Sequence, residues 1–568
     1  MKKANYILGL NAYGLNTSAS LLKNGLIIGA VEEERLNREK RTRKFPIKSI
    51  LYLLDIEKIK ISDLSAIAVS WNPLINLEKF EKHKSEHLSY IPDMLHAIPN
   101  QIIKILSKQN LDMIKQEIYL TLNKKIPIYY INHHVSHASN YFFSNFNNAS
   151  ILTVDAFGEK QCTGFYKGRS NKVTELWKQE FPHSLGSFYS TFTEFCGFKP
   201  QSDEWKLMGA SSYGDYNKYY KLIRGLVDLN EGKGIELDLK YFNHYLFHRP
   251  HYHNKALSDY LKIKPNKENS LSKNYYDICA AAQKVFEDIY FHFLNSLWKL
   301  NKNKNLVLSG GCALNSLANG KIIEKTKFEN IFIPPVPDDS GAGLGAAYHV
   351  YNSLFKYKKK FVLTKNYLGP EYSKNKIEII LNKYSIKYKF IKYPWIKAAK
   401  SISEGKIIGW FQGRLEFGDR ALGNRSILAD PRKKNMKDRI NKCVKYREKF
   451  RPFAPAVLEE QTNNYFQKYQ ESIFMEKTIK IRKEKQSIIP AVTHYDGTGR
   501  LQTVKKNNNL NFYLLIKEFE RLTGVPVVLN TSFNYKGDPI VCSPEDAIKT
   551  FYLSGLDEMF IGNFWINK

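Results

Sequence analysis

The sequence predicts a folded, multidomain α/β protein, and three observations carry that prediction. Two strand-turn-strand units, starting near Tyr6 and near Ile151, each place a glycine just after their first strand. A long helical pattern over Tyr275–Leu300 feeds a short apolar strand, Asn305–Ser309, that ends in a diglycine. Beyond about Tyr367 the texture changes to β-like runs and basic loops. At 568 residues the chain is several times the ~150-residue domain yardstick, so two to four domains are expected.

Composition narrows the class. With 43% hydrophobic, 14% aromatic and 25% charged residues, the chain reads as globular rather than disordered or collagen-like. No window approaches the ~18 uninterrupted apolar residues of a membrane span, and the first twenty residues lack a small-residue cleavage site. The six cysteines (Cys162, Cys196, Cys279, Cys312, Cys443, Cys542) form neither a CxxC pair nor a disulfide framework, which places the protein in a reducing cytoplasm. The formal charge of +31 raises nucleic acid as a partner. Lysine, however, travels with Asn, Ile and Tyr throughout, as in Asn301–Asn305, so the surplus reads as a composition bias on solvated faces and nucleic acid is disfavoured.

The elements follow in order. Tyr6–Asn11 is a strand; Ser18–Leu22 and Leu26–Val31 flank an Asn24-Gly25 hairpin turn. In the second unit a buried strand from Ile151 ends at Asp155, and Cys162–Lys167 and Val173–Trp177 flank the turn Gly168–Asn171. The pair points to an internal duplication with mainly helical segments between. The helix Tyr275–Leu300 carries Ile278, Ala282, Val285, Ile289, Phe293 and Leu297 on one face. Prolines 334, 335 and 337 precede Asp338-Asp339, and the small-residue run Ala342–Ala347 suits a tightly packed helix start. The lysine cluster 356–360 marks a boundary, giving a first domain over residues 1–360 and a second over 368–568.

Several constellations could carry chemistry. Asn132-His133-His134-Val135-Ser136-His137 follows an apolar run, so Asn132 caps a helix on which His133 and His137 share a face at i, i+4 while His134 points elsewhere. That spacing fits one shared metal ion or a merely hydrogen-bonded pair. Asp155 and Asp339, each read as ending a strand beside glycine, add carboxylates, and two imidazoles with carboxylates suit Fe(II), Mn(II) or Zn(II). Gly310-Gly311, followed by Asn315, let a flat ligand or phosphate approach the backbone, or simply make a tight turn. Glu204–Gly209 adds Lys206 and Gly209 near the same cleft. From Arg414 to Arg451 thirteen Lys/Arg stand against five acids, with Arg420 and Arg425 among glycines and Arg447–Arg451 running into a rigid Pro452-Phe453-Ala454-Pro455 segment. Fixed guanidinium forks of this kind suit phosphates.

Taken in order, EEER at Glu32–Arg35, NHHVSHA at Asn132–Ala138, VDAFGE at Val154–Glu159, EWKLMG at Glu204–Gly209, LSGGCALN at Leu308–Asn315, DSGAGLGAA at Asp339–Ala347, GRLEFGDRALGNRSILADPR at Gly413–Arg432, REKFRPFAP at Arg447–Pro455 and LNTSFN at Leu529–Asn534 make the chain resemble the O-carbamoyltransferases that tailor nodulation factors and antibiotics such as tobramycin and cephamycins. The likeness spans essentially the full chain. It implies a duplicated actin/hexokinase/Hsp70-like (ASKHA) domain, related to the catalytic subunit of tRNA threonylcarbamoyladenosine synthesis, followed by an α+β YrdC-like domain. It implies that carbamoyl phosphate and ATP, with Mg, give carbamoyladenylate in the second domain, where Arg420, Arg425, Lys445, Arg451, Arg500, Asn530 and Ser532 would bind the anionic groups and Lys445 and Arg451 would act catalytically. In the first domain His133, His137, Asp155 and Asp339 would hold a divalent metal, Fe(II) with Mn or Zn as alternatives. Lys206, Gly209, Gly310, Gly311 and Asn315 would line a nucleotide pocket, and the carbamoyl group would pass to a hydroxyl of a small metabolite or glycan precursor. No membrane is implied, and a homodimer is compatible.

Three positions depart from the family pattern. Leu15 stands where relatives carry a histidine proposed to deprotonate the acceptor, leaving His134 as one candidate base. Arg41 stands where many have histidine, and Asp419 replaces a proline beside Arg420. Two other readings remain open at this level: a tRNA-modifying threonylcarbamoyl-transfer relative and a non-catalytic nucleotide-binding regulator.

Overall fold

A computed structural model describes residues 4–12, 14–73, 113–121, 124–246, 249–268, 270–356, 361–448 and 450–568. Tyr13, Lys449 and all of the 356–360 cluster except Lys356 lie outside the described residues. The chain forms two compact units: residues 1–29 with 43–363, and residues 30–42 with 364–568.

The first unit is built on two mixed sheets. One contains β1 (Tyr6–Asn11), β2 (Ser18–Lys23), β3 (Leu26–Glu32), β4 (Ala66–Val69), β5 (Met113–Thr121) and β6 (Lys124–Ile131), in the order β3-β2-β1-β4-β6-β5. β1 runs antiparallel to β2, in register from Tyr6 opposite Lys23 to Asn11 opposite Ser18, and parallel to β4. The other contains β7 (Asn148–Val154), β8 (Gln161–Arg169) and β9 (Lys172–Glu180), with β12 (Asn305–Ser309) and β13 (Asn330–Phe332), in the order β13-β12-β7-β8-β9; β10 (Val227–Leu229) and β11 (Ile235–Leu237) form a separate two-stranded ribbon. Here β7 is antiparallel to β8 and parallel to β12. A three-strand meander extended by parallel strands therefore occurs twice, in the same order, as the two strand-turn-strand signals suggested.

Four helices position the site residues of this unit: α1 (His133–Ala138), α2 (Leu185–Phe195), α3 (Lys273–Leu300) and α4 (Asp339–Phe355). α3 buries Ile278, Ala282, Val285, Ile289, Phe293 and Leu297, the predicted stripe. α4 begins at Asp339, so that residue opens a helix rather than ending a strand: β13 stops at Phe332, and the prolines of Pro334–Pro337 remove the donors a continuing strand would need. Among the described residues no helix is long and apolar enough to cross a membrane.

The second unit holds one nine-stranded mixed sheet. Its strands are β14 (Lys389–Phe390), β15 (Ile408–Phe411), β16 (Arg425–Ala429), β17 (Ala454–Leu458), β18 (Lys477–Lys480), β19 (Thr498–Val504), β20 (Val527–Ser532), β21 (Glu558–Ile561) and β22 (Phe564–Asn567), ordered β14-β22-β21-β15-β16-β20-β17-β19-β18. Helices α5 (Pro394–Ser403), α6 (Leu510–Thr523) and α7 (Pro544–Leu553) contribute to a core around Trp410, Leu428, Val528 and Phe560.

Residues 30–42, which the sequence pattern assigned to the first domain, group with the second unit. The reason is a buried cation. Arg35 is enclosed, pairs with Glu34 and donates to the Gly418 carbonyl at 2.9 Å, while Arg38 donates to the carbonyls of Pro539 and Ile540 at 2.9 and 2.7 Å. Stripping Arg35 of its partners would leave a buried charge uncompensated, at a cost of about 3–5 kcal/mol.

Within the first unit, α4 lies unusually close to its neighbours. A Cβ on Gly343 would stand 2.8 Å from the backbone of Leu10 and Asn11, and one on Gly345 would stand 2.0 Å from the Ser136 carbonyl oxygen. Gly345→Val is therefore expected to destabilise the protein by about 3 kcal/mol or more, because backbone atoms, not a flexible side chain, must move. A thermal melt beside the wild type checks it, and an unchanged midpoint would refute the packing argument.

Candidate metal centre and anion-binding cluster

Each of the four sequence-predicted ligands reaches one spot in the first unit. α1 presents His133 and His137 from consecutive turns, with ring centroids 4.5 Å apart and planes at 87°. Asp155 follows β7, and Asp339 opens α4. His133 Nε2 lies 3.6 Å from Asp155 Oδ2 and 3.3 Å from Asp339 Oδ1; His137 Nε2 lies 3.2 and 3.7 Å from the same atoms, and the two Nε2 atoms are 3.0 Å apart. Two ligands bonded at about 2.1 Å to one ion stand about 3.0 Å apart at octahedral angles and about 3.4 Å apart at tetrahedral ones, so these spacings are those of a shared coordination sphere.

The outer ring nitrogens fix which ring atoms face inward. His133 Nδ1 lies 3.3 Å from the Ser70 carbonyl, which can only accept, so Nδ1 carries a proton and Nε2 is the nitrogen turned toward the two carboxylates. His137 Nδ1 meets Ser309 Oγ at 3.4 Å, and that hydroxyl donates to the Pro337 carbonyl at 3.2 Å, which leaves it to accept from the imidazole. Burial opposes charge on His133, but Asp339 and Asp155 win and hold its pKa well above the usual imidazole value. Burial likewise opposes charge on Asp155, and hydrogen bonds from His133 and His137 hold it well below the usual carboxylate range. The cluster is built to enclose positive charge.

Local sequence fixes the frame. Asn132 precedes α1 but its side chain does not cap it; the Glu159 carboxylate accepts from the His133 N–H at 3.0 Å and the Asn72 N–H at 2.6 Å instead. The sequence pattern placed Glu159 within a motif and gave it no role. Gly310 adopts φ +90° with a hypothetical Cβ 2.2 Å from the Val154 carbonyl oxygen, so only glycine fits, and the Gly311 N–H donates to Asp155 Oδ2 at 3.2 Å. Gly310 and Gly311 thus position a ligand residue directly.

The remaining predicted residues of this unit divide. Ser316 Oγ approaches Met208 Sδ at 3.8 Å, bringing the short helix Glu204–Ala210, with Lys206 and Gly209, to the loop that carries Gly310–Asn315. Lys206 pairs with Asp203 at 3.0 Å. Asn315 is committed to structure: its Oδ1 accepts from the Ala318 N–H at 3.1 Å and its Nδ2 donates to Gln283 at 3.0 Å. His134 does not suit the role of base. It is 1% exposed, its Nδ1 meets Thr153 Oγ1 at 2.8 Å, and burial with the two neighbouring imidazoles pushes its pKa well below the ordinary value, so it is enclosed and a poor proton acceptor. The Leu15 loop does abut the centre, since a Cβ on Gly14 would stand 3.2 Å from Asp339 Oδ2.

In the second unit Lys445 donates to Ser532 and Asn534, at 2.7 Å to Asn534 Oδ1. Burial, then Arg447, Arg451 and Lys40, depress its pKa well below that of a free lysine. Arg500, on β19, donates to the Met475 carbonyl at 3.0 Å and is depressed by burial and by Arg420. Arg451 pairs with Glu448 at 3.4 Å, and Asn530, 1% exposed at the end of β20, donates to the Ala421 carbonyl at 3.0 Å. Lys40, Arg447 and Asn534 join this neighbourhood without having been read as site residues. Arg425 leaves it: fully buried, its guanidinium stacks 3.6 Å over Phe411 and donates to the carbonyls of Gln412, Asn424, Pro370 and Gly413, so it braces the loop instead of binding a ligand.

Comparison with known proteins gives this pair of units its class. The family described as Carbamoyltransferase N-terminus matches residues 6–348, and Carbamoyltransferase C-terminus matches residues 399–568. The chain belongs to the carbamoyltransferase family and is an enzyme. Nodulation protein NolNO of Sinorhizobium fredii is 35% identical over 565 residues, covering 98% of this chain and 80% of the relative. An uncharacterized protein of Synechocystis is 35% identical over 607 residues, covering 99% and 97%. The 3'-hydroxymethylcephem-O-carbamoyltransferase of Streptomyces clavuligerus is 30% identical over 271 residues, about half of each chain.

The bracing role of Arg425 is testable apart from any reaction. Arg425→Met should lower stability by about 3 kcal/mol because several carbonyls lose their donor in a dry environment. Thermal denaturation measures it; a stability equal to wild type would return Arg425 to the set of ligand residues.

Proposed function

We propose that the protein is an ATP-dependent O-carbamoyltransferase that activates carbamoyl phosphate as carbamoyladenylate in its second unit and transfers the carbamoyl group to a small-molecule hydroxyl in its first. The observation that carries the reading is the four-residue cluster in which both imidazole Nε2 atoms are turned inward on the carboxylates of Asp155 and Asp339. The matching family and the O-carbamoyltransferase named among the relatives support the chemistry.

In the activation step carbamoyl phosphate loses phosphate to water, the carbamate oxygen attacks the α-phosphorus of ATP, and pyrophosphate leaves. Lys445, Arg451, Arg420 and Arg500 hold the phosphates; their task is positioning and charge neutralisation, in surroundings that already disfavour the charge on Lys445 and Arg500. Asn530 and Ser532, at the end of β20, orient the nucleotide. In the transfer step the acceptor oxygen bonds to the carbamoyl carbon, AMP departs, and the acceptor's proton is released. His133, His137, Asp155 and Asp339 would hold iron(II), with manganese or zinc as alternatives the donor set also accepts. When bound, such an ion supplies Lewis-acid polarisation of a carbonyl. Gly310, Gly311 and the Lys206 helix frame the nucleotide, and Glu159 keeps α1 in place.

Carbamoyl phosphate and ATP without acceptor are expected to give pyrophosphate. Arg451→Ala should lower that release by roughly 100-fold or more, whereas His137→Ala should leave it intact and abolish transfer to any acceptor. Absence of pyrophosphate from the metal-replete wild type would sink the reading. Because an anion beside Lys445 favours its charged form, ATP affinity is expected to fall as pH rises through the Lys445 pKa, visible as a pH dependence of the ATP Kd. Lys445→Met should lose that dependence.

A further inference from the structure

β14 ends the nine-stranded sheet of the second unit, next to β22, and both of its residues are exposed. The chain around this edge differs in charge from the rest of the molecule. Residues 373–400 hold eight lysines against one acid, Glu378, and no arginine, so seven of the chain's 31 excess positive charges sit in 28 of its 568 residues. Glu378 is already engaged, accepting from the Tyr388 hydroxyl at 3.1 Å. The positive surplus is therefore concentrated at one end of a sheet instead of being spread evenly over solvated faces.

Large apolar side chains are exposed on the same short stretch. Phe390 closes β14, Tyr393 precedes α5 and Ile396 lies in the first turn of α5; they are 52%, 46% and 46% exposed. The stretch is pinned in place, since the Ile391 N–H donates to the Asn563 carbonyl at 2.8 Å and Asn563 Nδ2 donates back to the Ile391 carbonyl at 2.9 Å. Ammonium groups stand among the rings: Lys374 Nζ is 4.2 Å from the Phe390 centroid, and Lys389 and Lys397 are 5.7 and 5.2 Å from that of Trp565. Lysine at a sheet edge has an ordinary purpose, which is to discourage other strands from pairing there. That purpose explains the charges and leaves three large apolar side chains in water unexplained.

We infer that this edge docks the protein on the surface of an anionic lipid bilayer, with the lysines on the headgroups and Phe390, Tyr393 and Ile396 entering the interface. Charge complementarity selects the partner. Lysine is a compact charge on a flexible stem and suits a diffuse field of headgroups, whereas nucleic-acid phosphates are held best by the planar arginine forks that this stretch lacks. The apolar residues select it further: aromatic rings settle at headgroup level, and Ile396 gains from hydrocarbon but not from stacked bases. The docking is peripheral. It gives the protein a location and does not depend on the proposed reaction.

The test is co-sedimentation of the full chain with vesicles of phosphatidylcholine and phosphatidylglycerol in equal parts, beside vesicles of phosphatidylcholine alone and a single-stranded oligonucleotide. Wild type is expected to bind the anionic vesicles about 10-fold or more tighter than the neutral ones and to be released by salt. Lys389→Glu with Lys392→Glu should weaken that binding by about 100-fold, and Phe390→Ser by several-fold at unchanged charge. These positions are exposed, so the variants should melt with the wild type. Lys172→Glu with Lys302→Glu lowers net charge equally at exposed positions of the first unit and should leave binding as it was, which separates the edge from the overall +31. Equal weakening by the two lysine pairs, no preference for anionic vesicles, or oligonucleotide bound in place of vesicles would overturn the docking.

Discussion

The first unit depends on how near a helix can come to its surroundings. α4 carries Gly341, Gly343 and Gly345 where backbone approaches backbone, and Gly9 on β1 answers from the other side: a Cβ there would fall 2.1 Å from the Gly343 carbonyl oxygen. Because no side chain stands between them, the N-terminal residue of α4 arrives beside α1, and Asp339 can meet His133 and His137 within 4 Å. Larger residues would push α4 outward by more than the tolerance of a coordination sphere, which is a few tenths of an ångström. The small-residue run is thus a packing device whose consequence is chemical. Gly310 does the same on the opposite flank, letting the β12 loop press against Val154 so that Gly311 can hold Asp155.

The second unit faces the reverse problem, since it brings like charges together under cover. Burial and mutual repulsion both oppose the charge on Lys445, Arg447 and Arg500. Partial relief is built in. Burial alone would raise Asp419, yet Arg41 first and Arg420 next hold its carboxyl low. Arg41 on the 30–42 segment and Asp419 beside Arg420 therefore answer one another as cation and anion, which offsets part of the local positive charge.

Much of this was legible in sequence, and what was not has physical reasons. The strands of both meanders, the stripe on α3 and the i, i+4 histidines come from short-range periodicity, which the chain cannot hide. The four residues that meet in the first unit stand out in the sequence by the i, i+4 spacing of the two histidines and by the glycines close after the two aspartates. Asp339 was misplaced onto a strand because proline-rich approaches to a strand end and to a helix start look alike. Asn132 looked like a cap because residue type predicts capping, whereas its Oδ1 accepts from Asn72 Nδ2 at 2.7 Å and Glu159, distant in sequence, takes the first N–H of the helix. Arg425 and Arg451 have similar surroundings in the one-letter text; only the fold shows that one is ringed by carbonyls. The assignment of residues 30–42 was illegible altogether, since contacts from Arg35 to Gly418 and from Arg38 to Pro539 span several hundred residues.

Leu15 and the enclosed His134 leave the acceptor without an imidazole base, and magnitudes decide whether that matters for the proposed reaction. General base catalysis contributes about 10²–10⁴-fold, while orientation of two bound reactants reaches effective molarities of about 10⁵–10⁸ M. The electrophile would be a mixed anhydride whose leaving group is a phosphate monoester, already weakly basic, so little charge accumulates on the attacking oxygen before the bond to AMP breaks. An enzyme that spends its structure on placing the donor, with Gly310, Gly311 and a rigid α4, retains the larger factor and forgoes the smaller. Loss of the base then selects among acceptors: hydroxyls acidic enough, or already hydrogen-bonded well enough, to surrender a proton late are the ones this centre can use. In the proposed reaction, a leucine in that loop would narrow the range of substrates rather than abolish turnover.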